Sequence, residues 1–317
     1  MISKEALLQK YNISEEAFVA SSMEWEDLEF IYNDFLIKVD TYKNILAEFQ
    51  KEYLENISEQ GIHSIRTRVK DAEHLIVKII RKRQENFRKY QNLTRDNYEK
   101  FLTDLIGIRC FILFKSDWQK FHSYIEEKIE DNPEFYVKDC IEDFDNDYTH
   151  TYMAEMPKVH IRTGDSKTIY EKLLQPDAIK SKKIYRSAHY IIKYHGVYIE
   201  IQVRTLFEEG WGEIDHYMVY PYYQKDPLFQ EYTGLLNRLT GLADEMSSFF
   251  IEVKRLEIEH LEQNQQNDIN YISSDDGGLN GENLNVEHCP VCSLEEGKVV
   301  LETTTAAAEC ITKVLNE

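Results

Sequence analysis

The stretch V-Y-I-E-I-Q-V-R-T, Val197 to Thr205, alternates apolar and polar side chains along its length. Strand side chains point to opposite faces with period two, so Val197, Ile199, Ile201 and Val203 form one face of a strand. Glu200, Gln202 and Arg204 then stand side by side on the other. A polar strand face commonly does no more than meet water, and that reading stays open here. A carboxylate, an amide and a guanidinium in one row can also handle a hydroxyl and a phosphate together. The preceding run, 187–194, has the same strand character. It is joined to the quoted stretch through His195-Gly196, a pair suited to a tight hairpin turn because glycine tolerates positive φ.

Outward from this hairpin the chain alternates between strand and helix signals. A helix is expected at 206–220 and another at 228–262. Upstream, 107–114 is a continuous apolar strand interrupted by Arg109, followed by a helix at 117–130. A strand at 64–70 leads into a helix at 71–90, and 135–141 is a weaker strand candidate. Residues 143–183 lack clean periodicity and read as a long, partly helical insertion of the kind that covers substrates. In the first sixty residues, Leu28, Tyr32, Phe35, Val39, Tyr42, Leu46, Phe49 and Tyr53 recur at steps of four and three, marking one face of a long helix. Packing against the body of the protein is its expected role, and contact with a second copy is the alternative. These signals give an α+β fold (α/β-like) with a mixed sheet covered by helices. The expected organisation is a helical extension over 1–60, the sheet domain over 61–225, a helix over 226–263 and an acidic tail over 264–317. Within the tail, 264–298 reads as linker and 299–314 as a short closing segment.

A length of 317 residues and a hydrophobic content of 42% suffice for one substantial core. The formal charge of −20 argues against general affinity for polyanions or anionic membranes. Basic residues nevertheless gather in two islands, between His63 and Tyr90 and between Lys167 and Arg186, which suits a localised anion pocket or a solvated helix face. Five scattered cysteines do not form a secreted disulfide framework. Cys289-Pro-Val-Cys292 has the spacing of half a zinc site. His288 and Cys310 could complete it, but no second pair follows and structural zinc takes four ligands. With no signal-like N-terminus and no apolar run of membrane-spanning length, a cytoplasmic location is expected.

Four constellations carry chemistry. Arg68-Val69-Lys70 ends a strand, and Lys70, His74 and Lys78 follow at steps of four, stacking on one helix face near an N-terminus that favours anions. Asp104-Leu-Ile-Gly-Ile-Arg109 places an acid before a buried strand and a cation within it. Both groups need a partner or a cleft. A salt bridge between the two is one reading; a hard cation on Asp104 and a phosphate or base on Arg109 is the other. Tyr185-Arg-Ser-Ala-His189, directly after Lys180, Lys182 and Lys183, offers an aromatic platform beside cations, or simply an edge tyrosine. The Glu200/Gln202/Arg204 row is followed by Trp211-Gly-Glu-Ile-Asp215-His216, whose Asp215 and His216 either support the row or form a solvated turn.

Taken in order, R-V-K with the later lysine, D-L-I-G-I-R, Y-R-S-A-H, E-I-Q-V-R-T and the W-x-E-I-D-H helix resemble the synthetase domain of the RelA/SpoT alarmone synthetase family, over roughly residues 62–223. The resemblance implies a nucleotidyltransferase-like mixed sheet. It also implies transfer of the ATP β,γ-pyrophosphate to the 3′-hydroxyl of GDP or GTP, giving ppGpp or pppGpp and AMP. By the same resemblance Arg68 and Arg109 would sandwich adenine, while Lys70 and Lys78, with His74 on the same face, would hold phosphates. Asp104 and Glu200 would meet over Mg²⁺, with Glu200 also activating the acceptor hydroxyl. Tyr185 would stack on the acceptor base beside His189, with Gln202 and Arg204 supporting the row.

The chain departs from the family pattern at Ile184, where glycine is usual, and at His74, where serine is usual. Both border the nucleotides in the family, so both bear on the choice of acceptor. The alternative is the family's toxic branch, acting on adenosine nucleotides or the tRNA 3′ end, although the net charge weighs against tRNA. The chain contains no His-Asp dipeptide of the family's hydrolase domain, so a stand-alone small synthetase that does not degrade its product is expected. Both Asp104 and Glu200 are present, which argues against a silent nucleotide-binding regulator.

Overall fold

The computed structural model describes residues 3–136, 150–219 and 226–273. The predicted hairpin is its central feature. The strands β6 (Ser187–Tyr194) and β7 (Val197–Thr205) pair antiparallel from Ala188↔Val203 to Tyr194↔Val197. His195 (φ 47°) and Gly196 (φ 76°) form the turn, both left-handed, which matches the twist of the flanking strands. The strands β1 (Ile62–Val69) and β2 (Ile106–Ile112) come from earlier in the chain. β2 runs parallel to β7, and β1 closes that edge antiparallel to β2. With β4 (Lys158–Arg162) and β5 (Ile179–Lys182), the sheet order is β1-β2-β7-β6-β4-β5, and the short β3 (Tyr152–Met153) also pairs with β6.

The strands β4 (Lys158–Arg162) and β5 (Ile179–Lys182), together with β3, correct the expectation of an irregular insertion over 143–183. β4 does alternate, with Val159 and Ile161 buried, but over only five residues. β5 is an edge strand in which only Ile179 is buried, and Ser181, Lys180 and Lys182 are exposed as befits an unpaired edge. Neither carries enough apolar residues for periodicity to register. The strand expected at 135–141 is also corrected where it is described: Pro133–Phe135 is a 3₁₀ turn capped by the Asn132 side chain. Residues 137–141 lie outside the described residues, as do the Cys289/Cys292 pair, His288 and Cys310.

Among the helices, α1 (Lys4–Lys10) and α2 (Glu15–Ala20) lead into α3 (Trp25–Tyr53). The predicted face of α3 is buried: Leu28, Phe35, Tyr42, Leu46 and Phe49 are in the core, while Tyr32, Val39 and Tyr53 pack partly against it. Each fully buried apolar side chain of this kind contributes roughly 1.5–3 kcal/mol, enough to hold the helix against α4 (Ala72–Glu85) and β1. The helix expected at 71–90 stops at Glu85. Asn86 ends it and then caps the turn α5 (Phe87–Tyr90). The buried Arg83 guanidinium holds the break by donating to the carbonyls of Ser21, Tyr90 and Leu93.

The turn α6 (Tyr98–Phe101), α7 (Asp117–Lys128) and the turn α8 (Thr168–Glu171) complete the middle of the chain. Trp118, Phe121 and Ile125 of α7 join Ile106, Ile108, Cys110, Ile199 and Ile201 in one core. After β7, Thr205 caps α9 (Leu206–Ile214) by accepting from the Glu208 amide, and a π turn follows over Asp215–Val219. The last helix, α10 (Pro227–Ser273), runs beyond the expected end at 262 into the segment expected to be linker. Up to Glu259 it belongs to the same compact unit as the sheet, and residues 260–273 belong to a second unit. Within the first unit α10 docks through a polar stripe. Trp211 Nε1 donates to the Thr233 carbonyl (3.0 Å) and Asn237 Nδ2 to the Ile184 carbonyl (2.7 Å). Among the described residues no helix is long and apolar enough to cross a membrane.

Candidate active site

Register, more than any single motif, builds the site. Arg68 of β1 lies opposite Gly107 of β2, which lies beside Glu200 of β7. In the next row Arg66, Arg109, Gln202 and His189 line up across β1, β2, β7 and β6. The other face of these strands is apolar and buried, so the polar row is the sheet's open face. Gly107 leaves the space between Arg68 and Glu200 clear; a Cβ there would stand 3.4 Å from Arg68 Nε. The result is a cleft of about 350 Å³ floored by Arg66, Arg68, Gly107, Arg109, Glu200 and Gln202, with Glu213 and His216 on its wall.

Glu200 is held by two arms that start from one atom. Arg204 Nη2 donates to Gln202 Oε1 (2.6 Å), and Gln202 Nε2 donates to Glu200 Oε2 (2.9 Å). The same Nη2 donates to the Tyr185 hydroxyl (3.0 Å), which pairs with His189 Nε2 (2.9 Å), and His189 Nδ1 reaches Glu200 Oε1 (3.3 Å). These roles are mutually consistent when the Tyr185 hydroxyl donates to His189 Nε2 and His189 Nδ1–H donates to Glu200. Burial acts to raise the Glu200 pKa, but the contact with His189, together with the Lys78 charge, turns the net shift downward, so the carboxylate stays ionised. A carboxylate oxygen has more than one lone-pair direction, so both Glu200 oxygens remain able to accept from the cleft.

Asp104 and Arg109 do not pair with each other. Lys70 Nζ and Lys78 Nζ both reach Asp104 Oδ2, at 2.7 and 2.6 Å. Burial raises the Asp104 pKa, yet the charges of Lys78 and Lys70 overcome it and hold the group at about 2. Its Oδ1 is buried and accepts no hydrogen bond within the protein. Burial pulls the Lys70 pKa down. The Asp104 and Lys78 charges both act on Glu200, so the acid-lysine cluster and the strand row form one electrostatic unit. Arg109 Nη1 instead donates to Glu209 Oε1 at 2.6 Å and to Glu213 Oε1.

The structure thus brings Arg68, Arg109, Glu200 and Gln202 into the cleft, and joins Tyr185, His189 and Arg204 to Glu200 through hydrogen bonds. His74 stands apart from that cleft. Its side chain is mostly exposed, beside Asp71 and edge-on to the Tyr11 ring at 5.4 Å. His216 lines the cleft, whereas Asp215 turns to Thr233. Glu209 falls in none of the sequence motifs, and Glu213, the glutamate of the W-x-E-I-D-H run, had no role assigned to it there. Their spacing of four on a helix that directly follows a site strand was the available signal. Among the described residues no group of three or more His, Cys, Asp or Glu side chains is placed to hold a metal. The unpartnered Asp104 Oδ1 is an oxygen donor of the kind Mg²⁺ takes together with substrate phosphates.

The family described as the region found in RelA/SpoT proteins matches residues 67–225, half of the chain, and takes in every residue of this site but Arg66. Among curated proteins no relative matches. Of solved structures, a GTP pyrophosphokinase family protein from Streptococcus pneumoniae is similar at 20% identity, over 74% of this chain and 96% of that one, with a TM-score of 0.44. Small alarmone synthetase 2 from Bacillus subtilis is similar at 19% identity, over 70% and 97%, with a TM-score of 0.42. Small alarmone synthetase 1 from the same organism, bound to its product pppGpp, is similar at 18% identity, over 69% and 92%, with a TM-score of 0.41.

Proposed function

Because the chain belongs to the RelA/SpoT family, we propose that it transfers the β,γ-pyrophosphate of ATP to the 3′-hydroxyl of GDP or GTP, making ppGpp or pppGpp and releasing AMP. The observation that supports this most is the doubly anchored Glu200, ionised and facing a cleft that Arg66, Arg68 and Arg109 also line. Phosphoryl-type transfer asks mainly for alignment and charge neutralisation, which such a site supplies without a covalent nucleophile.

In this reading Arg68 and Arg109 flank the ATP base, as guanidinium planes readily do on an aromatic face. The triphosphate offers Lys70 and Lys78 a stronger counter-charge than Asp104, which releases that carboxylate. Asp104 and Glu200 are the residues that would hold Mg²⁺, whose charge would neutralise the phosphates. The acceptor 3′-oxygen attacks Pβ, the bond between Pβ and the α,β-bridging oxygen breaks, and AMP leaves with that oxygen. Glu200 takes the hydroxyl proton, a role that requires only hydrogen-bond reach. Tyr185 carries the acceptor base, with its hydroxyl and His189 setting the ring's angle.

The test is the product spectrum of the purified protein given labelled ATP, Mg²⁺ and a mixture of GDP, GTP, AMP, ADP and tRNA. A pyrophosphorylated guanosine nucleotide that disappears in Glu200→Gln is the expected result. A labelled adenosine nucleotide or tRNA would transfer the proposal to the toxic branch. No labelled product from any acceptor would end it.

A further inference from the structure

One buried carboxylate joins the two halves of the cleft. Glu209, on the first turn of α9, accepts from Arg109 Nη1 through Oε1 (2.6 Å) and from Arg204 Nη1 through Oε2 (3.2 Å). Arg109 belongs to the ATP side of the proposed reaction. Arg204 is the atom source of both arms that orient Glu200 and Tyr185 on the acceptor side. Arg204 is buried, and its two terminal nitrogens donate to Glu209, Gln202 and Tyr185. Neighbouring Glu213 differs: it meets Arg109 and Arg66 but not Arg204.

We propose that Glu209 is a positioning residue that couples the two nucleotide subsites, an inference that rests on the function proposed above. In the free protein its single charge is shared between Arg109 and Arg204, with the exposed Arg66 farther off at 3.8 Å. When the ATP base draws Arg109 toward itself, a larger share of that charge falls to the buried Arg204. In a poorly solvated setting that concentrates attraction on one ion pair. Arg204 is then held more firmly, and with it Gln202, Tyr185, His189 and Glu200, so the acceptor meets an already ordered platform. Donor binding therefore strengthens acceptor binding, and by linkage the reverse holds by the same factor. A glutamine at position 209 breaks this, because its amide accepts from one arginine while presenting N–H groups to the other.

Calorimetric titration of the full-length protein tests it without turnover, using an α,β-methylene ATP analogue as donor and GDP as acceptor in Mg²⁺. In the wild type the analogue should lower the GDP Kd by about fivefold or more, the low end of ordinary allosteric coupling. In Glu209→Gln the ratio should fall to near one while each nucleotide alone still binds. Arg204→Lys, whose single nitrogen cannot span the positions of Nη1 and Nη2, should weaken GDP binding and also bring the ratio to near one, and it stands in if the first variant does not fold. Glu213→Gln should keep the coupling. Coupling retained in either folded variant of the bridge, or absent from a wild type that binds both nucleotides, would overturn the role of Glu209 and leave the proposed reaction standing. A merely bracing residue gives that outcome, since it weakens both affinities and leaves their ratio unchanged. A wild type that binds neither nucleotide would overturn both.

Discussion

Replacing Asp104 by Asn should destabilise the protein by an amount readable from the geometry. The side chain is only 11% exposed and serves as counter-ion to both Lys70 and Lys78. Its pKa is lowered from 3.8 to about 2. A shift of that size corresponds to about 2.5 kcal/mol of folding free energy. Leaving two buried ammonium groups without their counter-ion can bring the loss toward roughly 3–5 kcal/mol. The sign follows from the depressed folded-state pKa. Between pH 2 and 4 the unfolded chain binds this proton more readily than the folded one, so the contribution is complete above pH 4 and disappears as pH falls through 2. Urea denaturation of both proteins should therefore show a constant difference of about 2–4 kcal/mol from pH 5 to 8 that shrinks steadily below pH 4. Other carboxylates titrate in both proteins and cancel in the difference. Equal stability at pH 7, or a gap that persists undiminished at pH 2.5, would show that Asp104 does not clamp the lysines. The variant should also lose turnover, yet bind the α,β-methylene ATP analogue without divalent metal more tightly than the wild type, since its lysines no longer have an internal competitor.

Three further outcomes follow from other parts of the structure. Gly234→Ala should raise stability by about 1 kcal/mol, the usual helix-interior gain, because its new Cβ meets nothing within 4 Å. Gly241→Ala on the same helix should instead lower it by at least about 1 kcal/mol, since its Cβ would sit 2.5 Å from the buried Arg186 Nη2 and 3.0 Å from Arg162 Nη1; thermal melts of the pair decide this. Glu208 is pushed up to about 7, first by burial and then by Asp244, against Arg186, Lys115 and Arg204. The folded state thus holds a proton that the unfolded chain has released above pH 4.5. Stability should fall by on the order of 3 kcal/mol as pH rises from 4.5 through 7, and Glu208→Gln should remove that slope in denaturation curves taken at several pH values. Tyr185→Phe should cost about 1 kcal/mol of stability by breaking one arm to Glu200 while keeping the acceptor KM within a few-fold. Tyr185→Ala should weaken acceptor use by about 1–3 kcal/mol, and equal acceptor KM values in the two variants would count against stacking.

The hairpin was legible to the residue, because an eight- and a nine-residue run of strand character joined by a His195-Gly196 turn are local signals. So were the buried face of α3 and the single-file row of Glu200, Gln202 and Arg204, each fixed by helix or strand periodicity. Local pattern was too weak for β4 and β5, where five and four residues offer few apolar positions. It also could not choose partners for charged groups. Asp104 and Arg109, five residues apart, suggested an ion pair, but each found its counter-ions elsewhere, on Lys70 and Lys78 and on Glu209 and Glu213. What the amino-acid order by itself determined was which side chains share a face of each element, since backbone geometry dictates that from neighbours alone. Sheet register and the path of α9 decided the rest. They set Arg68 against Gly107 and Glu200 across three strands, and laid Glu209 between two arginines, contacts that depend on how distant segments pack.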